Sequence, residues 1–197
     1  LNVDGTSGDN NIAIGRFAGD ALTSGKENVL MGMNAGGAIS TAFTCVAIGV
    51  DAMGAVPAGQ ALEGATVMGY GAFKGTASST DGANGTTAIG YQAGKAITTA
   101  AGITLVGYGA GDAITTGGNN TAVGRHALGT LAGGTDNVAL GYGALLGANG
   151  TTVANCVAIG HSALSAAATH ATEIAIGEDA MLAWTGAGSG TDTKGYN

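Results

Sequence analysis

The chain has 197 residues, of which 39 are glycine and an equal number are alanine, and only 10% are charged. Glycine does not recur at every third position and there is one proline, which excludes a collagen triple helix, while 45% hydrophobic residues and a mean hydropathy of +0.29 are too apolar for a disordered chain. The net charge of −7 argues against a nucleic-acid partner, and no apolar run has the length of a membrane-spanning helix.

A four-residue unit recurs ten times along the chain, and each copy ends in glycine. It consists of a β-branched residue, a small or aliphatic residue, an aliphatic residue or methionine, and the glycine, as in Ile12-Ala13-Ile14-Gly15. The repeat glycines are Gly15, Gly32, Gly49, Gly69, Gly90, Gly107, Gly124, Gly141, Gly160 and Gly177. Six of the nine intervals between them are 17 residues, and the other three contain insertions of three, four and two residues. The period of the chain is therefore 17 residues.

The unit is typical of a short β-strand, because large and small side chains alternate along it. We expect its two large residues to point inward and the small residue between them to point outward. We call the residues at one position of all ten repeats a column. No charged residue occurs in the three columns before the repeat glycine, which predicts that these columns are buried. Alanine occupies the position three after every repeat glycine, from Ala18 to Ala180. This column of small side chains predicts a smooth face that another chain can approach. Seven positions after the glycine there is usually an apolar residue, such as Leu22 or Ile97.

A 17-residue unit has room for two or three short strands but not for a helical pair or a propeller blade. We therefore predict an all-β fold, a β-solenoid of ten rungs in which each strand pairs with its counterpart in the next rung and glycine forms the corner. The solenoid is expected over residues 10–185, after a lead-in at 1–9 and before a Gly-rich linker at 186–197 that leads to a further segment of a longer chain. Trp184 is expected to plug its open end.

Asparagine stands four positions before the repeat glycine at Asn11, Asn28, Asn120 and Asn137. With the Val-Ala-Ile-Gly units and the stretch Gly-Gly-Asn-Asn-Thr-Ala-Val-Gly-Arg-His-Ala-Leu at 117–128, it resembles the repeats of trimeric autotransporter adhesin heads (YadA-like) and of phage tail fibres. The resemblance spans about residues 10–182. It implies a left-handed parallel β-roll, a side-by-side homotrimer, and display on a bacterial surface or a virion. The 17-residue period departs from the shorter rung of the adhesin head, and either origin stays open.

The sequence predicts a structural and adhesive segment of an extracellular fibre. The low charge indicates that identical chains cover part of its surface. The other expected partners are further segments of the same fibre and a host or cell-surface receptor, with carbohydrate among the candidates. A purely structural shaft, whose binding tip lies elsewhere, is the alternative.

Tyrosine follows the repeat glycine in four rungs, at Tyr70, Tyr91, Tyr108 and Tyr142. Because arginine, histidine and glutamate occupy the same position in other rungs, we expect this column to be at least half exposed. Its flat rings suit the stacking of sugars, and the alternative is a stack of tyrosines that seals a groove between chains.

Two insertions come from consecutive rungs, at residues 55–65 and 74–86, and are expected to project side by side. Loops on a rigid scaffold often bind ligands, so we predict a receptor contact that includes Glu63, Lys74 and Asp81, although drift in a tolerant loop explains the insertions equally well.

Cys45 and Cys156 occupy the same position in rungs three and nine, about 29 Å apart at ~4.8 Å per rung, which is too far for a disulfide within one chain. We expect small buried thiols, and a bridge between chains only if their column faces a trimer axis.

The three histidines lie at unrelated positions and no P-loop is present, so no enzyme activity, metal or cofactor is predicted. Ice binding by Thr98-Thr99 and Thr115-Thr116 is a remote alternative, because adjacent side chains point to opposite faces of a strand.

Overall fold

A computed structural model of the chain describes residues 10–57, 61–75, 82–147, 153–165 and 172–182. These residues form an all-β structure with ten three-residue strands in one parallel sheet, ordered as in the sequence. The strands are β1 (Ile12–Ile14), β2 (Val29–Met31), β3 (Val46–Ile48), β4 (Thr66–Met68), β5 (Thr87–Ile89), β6 (Thr104–Val106), β7 (Thr121–Val123), β8 (Val138–Leu140), β9 (Val157–Ile159) and β10 (Ile174–Ile176). The predicted lead-in, the Gly-rich linker and Trp184 lie outside the described residues.

Each rung repeats the path of the rung before it. The strands pair in register, so that Ile89 of β5 lies between Met68 of β4 and Val106 of β6. Hydrogen bonds between rungs continue through the turns: the Gly36 N–H, for example, donates to the Ala52 carbonyl at 2.8 Å. The predicted β-solenoid with rungs of about 17 residues is therefore confirmed.

The 17-residue unit has room for two or three strands but uses it for fewer. Among the described residues each rung has one short strand, and the other described residues form turns and bends, apart from isolated bridges such as that between Lys26 and Phe43. The turns bend the backbone too sharply for extended structure, although they are hydrogen-bonded to the next rung like a strand.

The repeat glycine forms the corner at the end of each strand, as predicted. All ten have φ between +127° and +137°, a region that residues with a Cβ atom rarely adopt. The corners also stack closely, since a Cβ added to Gly107 would lie 2.6 Å from the carbonyl oxygen of Gly124. The Gly107 N–H donates to the Ile89 carbonyl at 2.8 Å, which ties the corner to the previous rung. No larger residue can therefore take this position without moving the backbone.

Three other positions in each rung have left-handed backbone: five before, two after and four after the repeat glycine. Twenty non-glycine residues occupy them with φ between 34° and 73°, among them Gln92, Asn119 and Leu128. Such a conformation costs an L-residue roughly 1 kcal/mol. Because the same positions recur in every rung, these turns are a property of the repeat and do not mark individual sites.

The core is a narrow row of side chains enclosed by the rungs. Three positions contribute to it repeatedly, together with the residue four after the glycine in many rungs and further residues of the turns: the middle strand residue, the alanine three after the glycine, and the apolar residue seven after it. In the seventh rung these are Ala122, Ala127 and Leu131, which are all fully buried. The apolar residue of the last position is buried at Leu22 and in every other rung in which the structure describes it.

The predicted orientation of the strands is wrong. The middle residue points inward, and the β-branched and aliphatic residues on either side of it are part-exposed or exposed in all ten strands. The alanine column is also not an outer face, because all ten of its members are buried. Alternation fixes which residues share a face, but not which of the two faces is the inner one.

Size matching in the core explains this orientation. The middle strand residue shares the interior with the residue four after the repeat glycine, and in nine of the ten rungs at most one of the two is larger than alanine; rung four, with Val67 and Phe73, is the exception. With Leu105 in the strand, the later position is Gly111, where a Cβ would lie 2.7 Å from the Leu105 Cδ2. Five rungs reverse the arrangement: Met53, Leu128, Leu145, Leu164 and Met181 follow Ala47, Ala122, Ala139, Ala158 and Ala175. Two large inward residues in each strand would not fit.

The stacked corners predict that a single methyl group added at a repeat glycine destabilises the fold. We expect Gly107→Ala to lower the free energy of unfolding by about 3 kcal/mol or more, since it combines a forbidden φ with a backbone clash. The measurement is equilibrium unfolding in denaturant.

Gly85→Ala is the matched control for this substitution. Gly85 has φ +65° and nothing within 4 Å of an added Cβ, so its replacement should cost about 1 kcal/mol. Equal costs for the two variants would contradict the role given to the corner.

Candidate functional site

Two columns of strand side chains point away from the core and form one continuous apolar surface. We call it the aliphatic face; it contains the residue three before and the residue directly before each repeat glycine. Its members are Ile12, Ile14, Val29, Met31, Val46, Ile48, Thr66, Met68, Thr87, Ile89, Thr104, Val106, Thr121, Val123, Val138, Leu140, Val157, Ile159, Ile174 and Ile176. None is charged, and 43% of Met68 and 56% of Ile174 are exposed in the single chain.

The dimensions of this face follow from strand geometry. Nine intervals of ~4.8 Å make it about 43 Å long, and two outward positions per strand make it about 10 Å wide. The apolar area is on the order of 400 Å², within the range of the largest apolar patches on soluble monomers, which are often functional. The face has the chemistry of a protein–protein contact, at about half of the ~800 Å² that a standard interface buries on each partner.

The residue after each repeat glycine forms a third outward column, which lies next to the aliphatic face. Here the rings of Tyr70, Tyr91 and Tyr108 are stacked nearly parallel, with centroids 5.3 and 4.9 Å apart and interplanar angles of 11° and 9°. Their exposed fractions of 42–49% are close to the half exposure that we predicted for this column. The in-register pairing of rungs brings these rings together, since each tyrosine has the same position in its rung.

The stack continues beyond the three tyrosines. The Arg125 guanidinium lies between two rings, 5.4 Å from the Tyr108 centroid and 5.7 Å from that of Tyr142. Tyr142 in turn stacks on His161 at 5.0 Å, and the His161 Nδ1 is 3.9 Å from a carboxylate oxygen of Asp179. We call the six side chains from Tyr70 to His161 in this column the aromatic ladder. Because the arginine is placed between rings, the ladder is continuous over rungs four to nine.

The stacking restricts what the aromatic ladder can bind. A sugar that stacks on tyrosine needs a free ring face, but both faces of Tyr91 are covered by Tyr70 and Tyr108. The edges of the rings account for the surface that remains exposed. The ladder is thus suited to edge contacts and to reactions between neighbouring rings.

The two predicted loops start and end side by side. Gly75 at the start of the second insertion is close enough to Val56 in the first that an added Cβ would lie 3.0 Å from the Val56 nitrogen. At their other ends, the Glu63 N–H donates to the Asn84 side-chain oxygen at 2.9 Å. Lys74 pairs with Asp51 of the preceding rung at 3.5 Å, while Asp81 lies outside the described residues. The structure therefore brings the bases of the two insertions together.

The asparagines four before the repeat glycine link successive rungs through their side chains. Asn28 accepts a hydrogen bond from the Cys45 N–H at 2.9 Å and donates to the Asn11 side-chain oxygen at 2.9 Å. Asn137 makes the same contacts with Cys156 and Asn120, at 3.0 and 2.9 Å. Each run of asparagines ends at a cysteine, because a thiol provides no amide oxygen for the rung that follows. This column stabilises the fold.

Cys45 and Cys156 are free and buried, as predicted. The Cys45 thiol donates to the Phe43 carbonyl at 3.3 Å, and the Cys156 thiol to a carboxylate oxygen of Glu173 at 3.3 Å. Burial raises the pKa of both thiols; for Cys156, where the Glu173 carboxylate adds to the effect, the pKa is about 11. Both side chains are therefore protonated at neutral pH and poorly nucleophilic.

The threonine pairs considered for ice binding have structural contacts. The Thr98 hydroxyl donates to the Thr115 carbonyl, and the Thr115 hydroxyl to the Ala132 carbonyl, both at 2.8 Å. These hydroxyl protons are thus used between rungs and do not face solvent freely.

Other kinds of site were sought in the same part of the chain. Among the described residues, no group of three or more His, Cys, Asp or Glu side chains could hold a metal ion. No helix in the described ranges is long and apolar enough to cross a membrane. Comparisons with protein families, with curated proteins and with solved structures find no match. The outer columns and the two loops are therefore the surfaces on which a functional proposal can be based.

The sequence analysis missed the aliphatic face, although a signal for it was present. The position four after the repeat glycine is glycine in rungs with Leu30 or Leu105 in the strand, and leucine in rungs with Ala122 or Ala139. Such compensation indicates that the middle strand residue belongs to the core, which leaves its large neighbours outside.

The buried thiols predict slow chemical labelling. With a pKa of about 11 for Cys156, against 9.0 for an ordinary thiol, the thiolate fraction at neutral pH is about 100-fold smaller, and burial slows access further. We expect a maleimide reagent to label neither thiol in the folded protein and both in denaturant, as measured by intact mass.

An exposed thiol in the same protein is the control for labelling. Thr99 is exposed, so Thr99→Cys in a chain without the native cysteines should react rapidly in the folded state. Rapid labelling of the native thiols, or a disulfide-linked dimer on a non-reducing gel, would contradict the burial described above.

Proposed function

We propose that this chain is a rigid segment of an extracellular fibre, in which identical chains pack side by side along the aliphatic face. The observation that carries the proposal is the uncharged face that runs the full length of the ten strands. A continuous hydrophobic patch of this extent often marks an interaction site, and the face is uncharged in every rung. A second copy of the chain fits it, because the two surfaces have the same rung spacing.

The energetics are compatible with such packing. Burying ~400 Å² on each chain stabilises the assembly by about 10 kcal/mol per chain at 25 cal/mol per Å². The cost of association is on the order of 4–15 kcal/mol, which is of the same size as this gain, so assembly requires several chains that each bury this face and pack closely along it. A homotrimer around a common axis is the arrangement implied by the resemblance to adhesin heads and tail fibres.

We further propose that the fibre segment is adhesive, and that the contact lies where the two insertions emerge together. Glu63 and Lys74 mark the described bases of these loops, on neighbouring rungs of a rigid scaffold. A bacterial cell surface and a phage virion both require such a rigid adhesive segment, and a receptor there would be a protein or a glycan on the target cell.

Two observations favour the alternative of a purely structural shaft. Lys74 is already paired with Asp51, and the ring faces of the aromatic ladder are covered by one another. Side chains that are already paired or stacked with each other have fewer free groups with which to bind a receptor. In that case the aromatic ladder would line a seam between packed chains.

A row of threonines favours ice binding as a further alternative, on a different surface from the one first considered. Thr66, Thr87, Thr104 and Thr121 lie in register on the aliphatic face, each two positions before an aliphatic residue or methionine. The same face cannot both pack against another chain and contact ice. A monomeric chain that produces thermal hysteresis, a gap between the melting and freezing temperatures of ice, would favour this alternative over the fibre.

Self-association along the aliphatic face predicts the mass of the assembly and the substitutions that would disrupt it. We expect three times the chain mass of 18.6 kDa for the native chain in solution, measured by size-exclusion chromatography with light scattering. Ile89→Lys combined with Val106→Lys should give monomers, because two charges would be buried in the contact. The fold of each chain should be kept, since both side chains point outward.

Thr99→Lys adds a charge to the same rung as Ile89, ten positions later and in an exposed place, and should leave the mass unchanged. A native chain that is monomeric at micromolar concentration, or loss of assembly in the control, would overturn the proposed contact.

Adhesion predicts that binding depends on the two loops. Deleting residues 58–60 and 77–80 restores the 17-residue period in both rungs, and we expect it to abolish binding to a glycan array and to target cells. Circular dichroism and the assembled mass should be unchanged. Full binding by the shortened chain would contradict the loop contact, and no binding by the native chain would favour the shaft.

A further inference from the structure

Three tyrosines of the aromatic ladder have an arrangement that no other side chains in the described ranges share. Tyr70, Tyr91 and Tyr108 come from consecutive rungs, and their rings are stacked with centroids 5.3 and 4.9 Å apart. Each ring is 42–49% exposed in the single chain, so all three phenols are accessible from the surface. Tyr142 belongs to the same column but has Arg125 and His161 as its neighbours.

We propose that Tyr70, Tyr91 and Tyr108 are a site of oxidative cross-linking, where dityrosine bonds join rung four to rung five and rung five to rung six. Coupling requires two tyrosyl radicals to meet before either is quenched. In most folded proteins tyrosines are too far apart for this, whereas here in-register pairing holds neighbouring rings within about 5 Å of each other. Their exposure leaves space for a ring to turn about its side-chain bonds so that two ring carbons meet.

The oxidant would be a haem peroxidase that uses hydrogen peroxide. It removes one electron and one proton from each of two phenols, and hydrogen peroxide accepts both pairs and is reduced to two molecules of water. The two radicals then combine through the ring carbons next to the hydroxyl-bearing carbons, which forms one carbon–carbon bond. The ring protons at those carbons move to the oxygens and restore both phenols, so that the protein loses two hydrogen atoms for each bond formed.

Such a bond would add a covalent connection between rungs that core packing and hydrogen bonds hold together. Neighbouring rungs are connected by one chain crossing and by backbone hydrogen bonds between them. A covalent bond across the rungs reduces the conformational freedom of the unfolded chain in the same way as a disulfide. The insertions at residues 55–65 and 74–86 leave the solenoid in the same region, so the cross-link would also stabilise the scaffold of these loops.

The reaction takes place within one chain and does not depend on the proposed packing of chains. Tyr70 and Tyr91 are neighbours in the single chain, whatever covers the aliphatic face. A monomeric protein would overturn the proposed assembly and leave the cross-link intact. A trimer without dityrosine would do the reverse.

The sequence allows the cross-linked pairs to be identified directly. Trypsin cleaves after Lys74, Lys95 and Arg125, which places the four tyrosines of the ladder in four separate peptides. The full chain is treated with a plant peroxidase and hydrogen peroxide, digested, and analysed by mass spectrometry. We expect the peptide with Tyr91 to be joined to those with Tyr70 and Tyr108, each pair lighter by two hydrogen atoms, while Tyr142 stays uncoupled within the chain.

Two conservative variants provide the comparison. Tyr91→Phe keeps the stacked ring but cannot form a phenoxyl radical, and Tyr70 and Tyr108 are two rungs apart, so we expect the loss of both pairs. Tyr142→Phe should leave both pairs unchanged. The treated native chain should unfold at higher denaturant concentration than the untreated chain, and Tyr91→Phe should abolish that shift.

Three results would overturn the proposal. One is the absence of both peptide pairs after treatment that oxidises the exposed tyrosines. The second is a mixture of pairs in which Tyr142 couples as often as Tyr91. The third is coupling only between chains, seen as covalent dimers on a denaturing gel with no cross-link inside the single chain.

Discussion

The stacked glycine corner is the constraint on which the rest of this structure depends. Hydrogen bonds between rungs require every rung to follow the same path, and the corner is the point where that path tolerates least variation. Its φ near +130° is accessible only to glycine, and the carbonyl of the next corner occupies the space where a side chain would be. Because the corner repeats without change, every other position of the rung is brought into register with its counterparts.

Register turns single residues into columns, and each column has one physical role. The middle strand residues and the alanines help to fill a narrow core, and the β-branched residues lie outside it. Asparagine in one column provides hydrogen bonds between rungs, and tyrosine in another provides a stack of rings. The outer surface is therefore striped along the solenoid axis, with an uncharged aliphatic stripe next to an aromatic one. We relate self-association to the first stripe and cross-linking to the second.

The sequence was sufficient to predict the solenoid, its period and the glycine corners. Aligning the repeats shows which residues occupy equivalent positions, and this does not require knowing whether a position is buried or exposed. The same alignment predicted the free cysteines, since Cys45 and Cys156 are separated by six rungs. It did not indicate the direction in which the strands face. Val29 and Met31 are as apolar as a core pair, and only the volume available beside Leu30 shows that they lie outside. The stacking of Tyr91 on both of its neighbours also depends on side-chain torsions that spacing does not determine. Adhesion and assembly concern surfaces whose partners lie outside the single chain.

The matching of leucine with glycine in the core has a consequence for the number of rungs in such a solenoid. Leu105 fills the space beside Gly111 of its own rung and also approaches Gly94 of the rung before, as Leu30 does with Gly36 and Gly19. Rungs five and six therefore form a unit, and the same holds for rungs one and two. Removal of rung six alone would place Gly94 beside Ala122 and leave a void, whereas removal of the pair would not. A solenoid of this kind can be lengthened or shortened without loss of packing only at certain boundaries, so its modules are longer than the 17-residue repeat.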